Sequence, residues 1–151
     1  MAKSITIKPA TISHLHSLNE LFEQYRRFYS MPSANQQSLE FLKQRLHNKD
    51  STIFVAFIDD IAAGFVQIYP SFSSVAMKPL WILNDLFVCE KYRRLGVAKK
   101  LMLAVEANAK QCDVFAIKLA TQTHNSEAKA LYDLLGYQVM AQFDHYSKRI
   151  E

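Results

Sequence analysis

The sequence predicts a mixed α/β fold: one domain spanning residues 1–151, a sheet of about seven strands, and helices on both faces. Three observations carry that prediction. Short β-branched and aromatic runs alternate with longer stretches whose apolar residues recur every three or four positions. One run, residues 80–88, is almost wholly apolar, as a strand covered on both faces must be. That run leads through a glycine turn directly into an amphipathic helix, a strand–helix step typical of α/β sheets.

The elements follow in order. Ile5-Thr6-Ile7-Lys8 alternates apolar and polar residues and ends at Pro9, which suits a first strand at an edge. Leu15, Leu18, Leu21, Phe22, Tyr25 and Phe28 form one apolar helix face, with Thr11 or Ser13 placed to cap it and Pro32 beyond its end. Leu39, Leu42 and Leu46 predict a shorter second helix, closed by the turn Asn48-Lys49-Asp50-Ser51. Residues 52–58 and 61–69 flank Asp59-Asp60 as a hairpin. The serine-rich segment from Pro70 to Pro79 reads as a loop.

Residues 80–88 then form a central strand, interrupted by the polar pair Asn84-Asp85. Val97, Leu101, Val105 and Ala109 define a long helix ending near Gln111, and residues 115–120 a further strand. Residues 126–135 form a short helix closed by Gly136. Two aromatic-bearing stretches, 137–143 and 145–150, finish the chain as a hairpin.

Composition narrows the function classes. The 151 residues are half apolar and one fifth charged, which suits a globular protein able to bury its own core. No apolar run approaches the roughly 20 residues that span a bilayer, and the first residues lack a secretory core, so a cytoplasmic protein without membrane attachment is expected. Cys89 and Cys112 have no CxxC spacing, and the five histidines show no ligand spacing, so neither a redox pair nor a metal site is expected. The net charge of +4 fits an anionic ligand. Lys and Arg are nevertheless scattered, with no basic stripe or reading helix, and nucleic acid is not an expected partner.

The segment Tyr92-Arg93-Arg94-Leu95-Gly96-Val97-Ala98 is the most informative. A glycine turn opening a helix aims free backbone N–H groups outward, where the helix dipole places roughly half a positive charge. Gly96 is one of only three glycines in the chain and permits close backbone approach; Arg93, Arg94, Lys99 and Lys100 add charge. Such a turn is an anion site by construction.

Arg93-x-x-Gly96-x-Ala98 matches the Q/R-x-x-G-x-G/A motif of the GCN5-related N-acetyltransferases. The preceding Leu83-Asn84-Asp85-Leu86-Phe87-Val88 resembles that family's fourth strand. Asn125-x-x-Ala128-x-x-Leu131-Tyr132-x-x-Leu135-Gly136-Tyr137 resembles its later loop, helix and glycine-aromatic exit. The likeness covers most of the chain and is nearest to the group containing the Hpa2-type and diamine acetyltransferases. Three positions depart from the pattern: Arg94 stands where many members carry glycine, Ala98 replaces the frequent last glycine, and Asn84 stands where the diamine and Hpa2-type relatives carry glutamate.

The resemblance implies acetyl-CoA as co-substrate and a primary amine of a small molecule or a protein as acceptor, in a homodimeric enzyme. An acyl-CoA sensor with little turnover is the alternative reading. It also implies that the backbone of Leu86, Phe87 and Val88 pairs with the pantetheine arm, and that the turn from Arg93 through Arg94, Leu95, Gly96, Val97 and Ala98 to Lys99 holds the pyrophosphate. Asn125 and Ala128 would contact the cofactor. Tyr132 would lie near the thioester sulfur, where a phenol of ordinary pKa about 10 can protonate a leaving thiolate. Asp85, a carboxylate in an apolar strand, is the candidate base for the amine, and hydrogen bonding within the fold is its structural alternative. Tyr25, Tyr29, Tyr69, Phe72, Trp81 and Tyr146 are candidate walls for the acceptor, and Glu20, Glu23 and Asp144 could attract a cation.

Overall fold

A computed structural model describes residues 4–151. The chain divides into two compact units, Met1–Ala120 and Thr121–Glu151. The first holds β1 (Ile5–Pro9), a 3-10 turn at Ile12–His14, α1 (Leu15–Phe28), α2 (Asn35–Asn48), β2 (Thr52–Ile58), β3 (Ile61–Ser73), β4 (Lys78–Val88), a second 3-10 turn at Glu90–Tyr92, α3 (Val97–Gln111) and β5 (Ala116–Leu119). The second holds α4 (Ser126–Leu134).

The strands of the first unit form one sheet in the order β1-β2-β3-β4-β5. The first four are antiparallel neighbours, and β5 joins β4 in parallel after the α3 crossover. Alternation along β2 feeds two layers of core. Ile53 and Val55 pack with Leu18, Leu21 and Leu42 of α1 and α2 and with Phe65 and Phe87. Phe54, Ala56 and Ile58 are buried on the opposite face, the side of α3, whose Val97, Leu101, Met102 and Val105 are buried as well. Helices therefore cover both faces, as the periodicity predicts.

The sheet has five strands where the sequence predicts about seven. The two missing strands are those of the final hairpin, since residues 137–150 form none. Their apolar side chains stay exposed, Val139 at 84% and Tyr146 at 94%, so no buried face fixes a register there. Alternation in sequence is a pattern a strand can use; burial is what enforces it.

The Pro70–Pro79 segment is a second correction. β3 continues through Pro70 to Ser73 and β4 starts at Lys78, leaving only residues 74–77 as the turn. Pro70 lies past Ile68, where pairing with β2 ends, so its missing N–H faces an open edge, the position in a sheet that tolerates proline. Pro79 contributes its carbonyl, which accepts from Phe115 N–H at 2.8 Å. The hairpin at Asp59-Asp60 is as predicted, both residues having positive φ (51° and 64°), as a two-residue type I′ turn needs.

Two local devices hold the parts that matter for the site. Gly64 sits opposite Val88, and a Cβ there would lie 2.7 Å from the Phe87 carbonyl oxygen, so a side chain would force β3 away from the end of β4. Glu23, a candidate to attract a cation, is instead buried on α1 and occupied within the fold. It accepts from Ser33 Oγ (2.8 Å), Ala34 N–H (3.2 Å), Arg26 Nη1 (3.3 Å) and the Ser38 hydroxyl. Led by the Ser38 bond, these donors outweigh the cost of burial and hold its carboxyl down at about 2. Glu23 thereby fastens the start of α2, which begins at Asn35, four residues earlier than the leucine spacing predicts.

Candidate active site

The polar interruption Asn84-Asp85 is a β-bulge. Gln67 pairs with Asp85 and the next residue, Ile68, pairs with Leu83, so Asn84 is the extra residue of β4. Asn84 is exposed in mid-strand, whereas Asp85 is only 6% exposed. A buried carboxylate must be satisfied, and this one has three donors. Gln67 Nε2 donates to Oδ2 at 2.8 Å, Asn84 Nδ2 to Oδ1 at 3.1 Å, and the Tyr25 hydroxyl to the same carboxylate.

Gln67 is itself fully buried, and Ser51 Oγ donates to its Oε1 at 3.0 Å, which fixes the amide so that its NH2 faces Asp85. Tyr25 packs edge-on against Phe65 and Phe87, with ring centroids 5.7 and 5.9 Å away. Burial first, and then the Asp85 charge, push its phenol well above the ordinary value, so it stays protonated and keeps donating.

Beyond Asp85 the phase of the ladder decides which backbone groups are available. Cys89 N–H donates to Ala63 C=O at 2.8 Å, so Cys89, Phe87 and Asp85 turn their backbone groups toward β3, and Leu86 and Val88 turn theirs away. On that other side β5 pairs with β4 only from Leu80 to Leu83. The outward edge at Leu86 and Val88 is thus open to a third strand-like partner. The Phe87 backbone, expected to share in such pairing, is committed to β3. Arg93 folds back along this edge, its Nε donating to the Val88 carbonyl at 3.0 Å and its guanidinium lying over the rings of Phe87 (5.6 Å) and Phe28 (5.8 Å). The N–H groups of Leu86 and Val88 and the Leu86 carbonyl remain on the open side.

The turn that follows ends in the α3 N-terminus. Gly96 is its N-cap, in the left-handed region at φ 86°, and no side chain caps the helix. The first intrahelical bond of α3 is Lys100 N–H to Gly96 C=O at 3.1 Å, so the N–H groups of Val97, Ala98 and Lys99 precede the helical ladder. Arg94 also has positive φ, 64°, which accounts for glycine at that place in the resembling family. Arg93, Arg94, Leu95, Gly96 and Lys99 are exposed, Ala98 is half-buried, and Val97 is anchored in the core.

Within the second unit, Asn125 caps α4, its Oδ1 accepting from Ala128 N–H at 3.2 Å. Tyr132, half-buried on the same helix, lies 6.0 Å from the Tyr137 ring, and Tyr137 N–H closes the helix on the Tyr132 carbonyl at 2.9 Å.

The structure thus gathers Asp85, Leu86, Val88 and the Arg93–Lys99 turn onto one strand–turn–helix, and Asn125, Ala128 and Tyr132 onto one helix. Sequence reading missed Gln67 and Ser51. The signal was present, because Gln67 is the sole polar residue within Gly64-Phe65-Val66-Gln67-Ile68-Tyr69, but its partner Asp85 lies on another strand. Of the candidate walls, Tyr25 contacts Asp85, Tyr69 lies near enough to feel its charge, and Phe72 and Tyr146 are exposed.

Known proteins resemble this chain in sequence and in fold. The model of the acetyltransferase (GNAT) family matches residues 16–137, a span that includes residues of both units. The uncharacterized N-acetyltransferase YhfO of Bacillus subtilis is 40% identical over 142 residues, covering 94% of this chain and 95% of that protein. The thialysine N-epsilon-acetyltransferase of Caenorhabditis elegans is 27% identical over 135 residues, covering 89% and 84%. A crystal structure described as a probable acetyltransferase superposes with a TM-score of 0.92 at 38% identity, covering 97% of this chain and 98% of the other.

Proposed function

The chain belongs to the acetyltransferase (GNAT) family and is an acetyl-CoA-dependent N-acetyltransferase, and from that premise we propose that its acceptor is the primary amine of a small molecule and that the groups on β4, the α3 turn and α4 divide the chemistry among them. The carrying observation is the open outward edge at Leu86 and Val88 running into an uncapped helix N-terminus at Gly96. These features fit the co-substrate: an extended arm with amide groups can pair with the edge, and a pyrophosphate can take the free N–H groups from Val97 to Lys99.

Each residue then has a task. Asp85 accepts a proton from the incoming ammonium, since only the neutral amine attacks. The outward N–H of Val88 polarises the thioester carbonyl. Tyr132 gives a proton to the sulfur as the C–S bond breaks. Arg93, already bonded to the Val88 carbonyl, holds the turn against the strand. Asn125, whose Oδ1 is engaged as a cap, offers its amide NH2 to the cofactor, and Ala128 keeps the helix surface small beside it. A small-molecule acceptor is supported by the thialysine N-epsilon-acetyltransferase relative, whose name places its acetyl group on an ε-amine.

The family match spanning both units supports one domain over residues 1–151. No helix among the described residues is long and apolar enough to cross a membrane; a cytoplasmic homodimer is the assembly we propose. Calorimetry should then show one unfolding transition and sedimentation a species of twice the 17.4 kDa chain mass; two transitions, or a monomer at micromolar concentration, would overturn these two points.

The central test is Tyr132→Phe, assayed by thiol release with acetyl-CoA and a panel of amines. Loss of a proton donor should lower turnover about 100-fold or more, with CoA binding by calorimetry retained. Unchanged turnover removes Tyr132 from the mechanism, and no turnover of any small amine by the unmodified protein removes the acceptor class.

A further inference from the structure

A cavity of about 390 Å³ lined by Phe41, Arg45, Asp50 and Tyr69 opens on the sheet face that carries Asp85. Its position follows from the register. Tyr69 and Gln67 are two apart on β3 and so point to the same face about 7 Å apart, and Gln67 is bonded to Asp85 on one side and to Ser51, the neighbour of Asp50, on the other. The cavity therefore lies along the row that leads to the candidate base.

Its chemistry is that of an opposite-charge pair held part-open. Arg45 uses Nε on Asp50 Oδ1 at 2.7 Å, and its guanidinium rests 4.8 Å from the Phe41 ring, so packing on one side and a single bond on the other set its plane. No other side-chain hydrogen bond of Arg45 or Asp50 is seen among the described residues, which leaves the two Nη groups as a donor fork and Asp50 Oδ2 as an acceptor. The Tyr69 phenol, pushed up to about 12 chiefly by burial and then by the Asp85 charge, is a further donor. The Arg45 side chain is 19% exposed and that of Asp50 46% exposed, so both can be reached by a ligand.

We propose that this cavity binds the zwitterionic head of an α-amino acid whose side-chain amine is the acetyl acceptor. A planar fork with a phenol beside it suits a carboxylate, Asp50 suits the α-ammonium, and a side chain of ornithine or lysine length carries its terminal amine along the Tyr69–Gln67 row toward Asp85. The inference rests on the small-amine reading above and adds to it that a diamine without a carboxylate is a poor substrate.

The test compares L-ornithine and L-lysine with putrescine and cadaverine, which lack the carboxylate, on the unmodified protein and on Arg45→Met and Asp50→Asn. The expected result is a kcat/KM about tenfold or more higher for the amino acids. Arg45→Met should erase that preference through KM, with kcat and the diamine rates unchanged within about twofold, whereas Asp50→Asn should raise KM for both classes, since putrescine and cadaverine keep the ammonium that Asp50 meets and lack only the carboxylate. Diamines used as well as amino acids by the unmodified protein overturn the subsite and leave the small-amine reading standing. Acetylation of neither class overturns both. Equal losses on both classes in Arg45→Met, a carboxylate preference that survives Arg45→Met, or an unchanged KM for both classes in Asp50→Asn also overturns the subsite. Thermal unfolding of each variant separates a lost contact from a lost fold, and the comparison on the unmodified protein decides the matter if neither variant folds.

Discussion

Asp85 and Gly96 are eleven residues apart on one strand–turn–helix, yet the chain prepares the two places by opposite means. Around Asp85 the work falls to side chains: Gln67, Asn84 and Tyr25 converge on a buried carboxylate, and Ser51 orients Gln67 from behind. Around Gly96 the work falls to the backbone, where two residues of positive φ turn the chain and an uncapped helix presents its first N–H groups to solvent. A site built from buried side-chain bonds should be intolerant of almost any substitution. One built from backbone should tolerate side-chain changes and fail only where φ is violated.

The first prediction breaks the side-chain half. Gln67→Leu is close in volume but removes one donor from a buried carboxylate and leaves Ser51 without its acceptor. A hydrogen bond to a charged group contributes about 1.5–3 kcal/mol, and an unsatisfied buried partner adds to the loss. Urea unfolding should show a stability loss of about 3 kcal/mol, with turnover falling as well. A loss under about 1 kcal/mol would mean that Asp85 finds water or another partner at once, and that the network does not preorganise it.

Glu23 is a control for the same principle away from the chemistry. Its carboxyl, held at about 2 in the folded chain against an ordinary 4.5, contributes stability that is fully present above about pH 4.5 and is lost as pH falls toward 2. Glu23→Gln should therefore cost about 2 kcal/mol at pH 7 and nothing near pH 2, while kcat at neutral pH is unaffected in the molecules that remain folded. Stability curves of the two proteins that stay parallel from pH 7 to pH 2.5 would contradict the assignment.

How much of this was legible in the sequence follows the same division. The backbone site was readable because Gly96, the helix after it and the apolar strand before it are contiguous; a local rule about helix termini is enough to find an anion site. The elements with one strongly periodic face, α1 and α3, were readable for the same reason. The side-chain site was half readable. Asp85 announces itself as a charge in an apolar run, but its partners come from β3, from α1 and from the turn before β2, and no local pattern links residues 25, 51, 67 and 85. Pro70 and the final hairpin mislead in opposite directions. A proline hid a real strand because it falls where pairing has already ended on one side, and alternation suggested a strand that no buried face supports.

The third prediction breaks the backbone half. Nothing lies within 4 Å of a Cβ built on Gly96, so the cost of a side chain there is conformational and not a clash. Gly96→Val, β-branched and forced into the left-handed region, should cost about 1–2 kcal/mol of stability. It should also weaken CoA binding about tenfold or more, because the turn can escape the strain only by moving the N–H groups that bind. Calorimetry with CoA checks this directly, and undiminished affinity would separate the turn from the cofactor.

Arg94→Gly sharpens the comparison with the smallest effect. Arg94 holds φ 64°, which costs a non-glycine residue about 1–2 kcal/mol, and glycine removes that cost while adding about 0.5–1 kcal/mol of unfolded-state entropy to be overcome. The net change should lie between zero and about 1.5 kcal/mol of stabilisation, or up to roughly 3–6 °C in Tm for a chain of this size, less whatever the Arg94 side chain contributes through its own contacts. If the pyrophosphate is held by backbone groups, CoA affinity should stay within about threefold of the unmodified protein, even though a positive charge has gone. A drop of tenfold or more, shrinking as salt is added, would place the guanidinium itself on the phosphates. The turn would then join Asp85 as a site made by side chains, and the contrast between the two ends of the strand–turn–helix would be one of exposure alone.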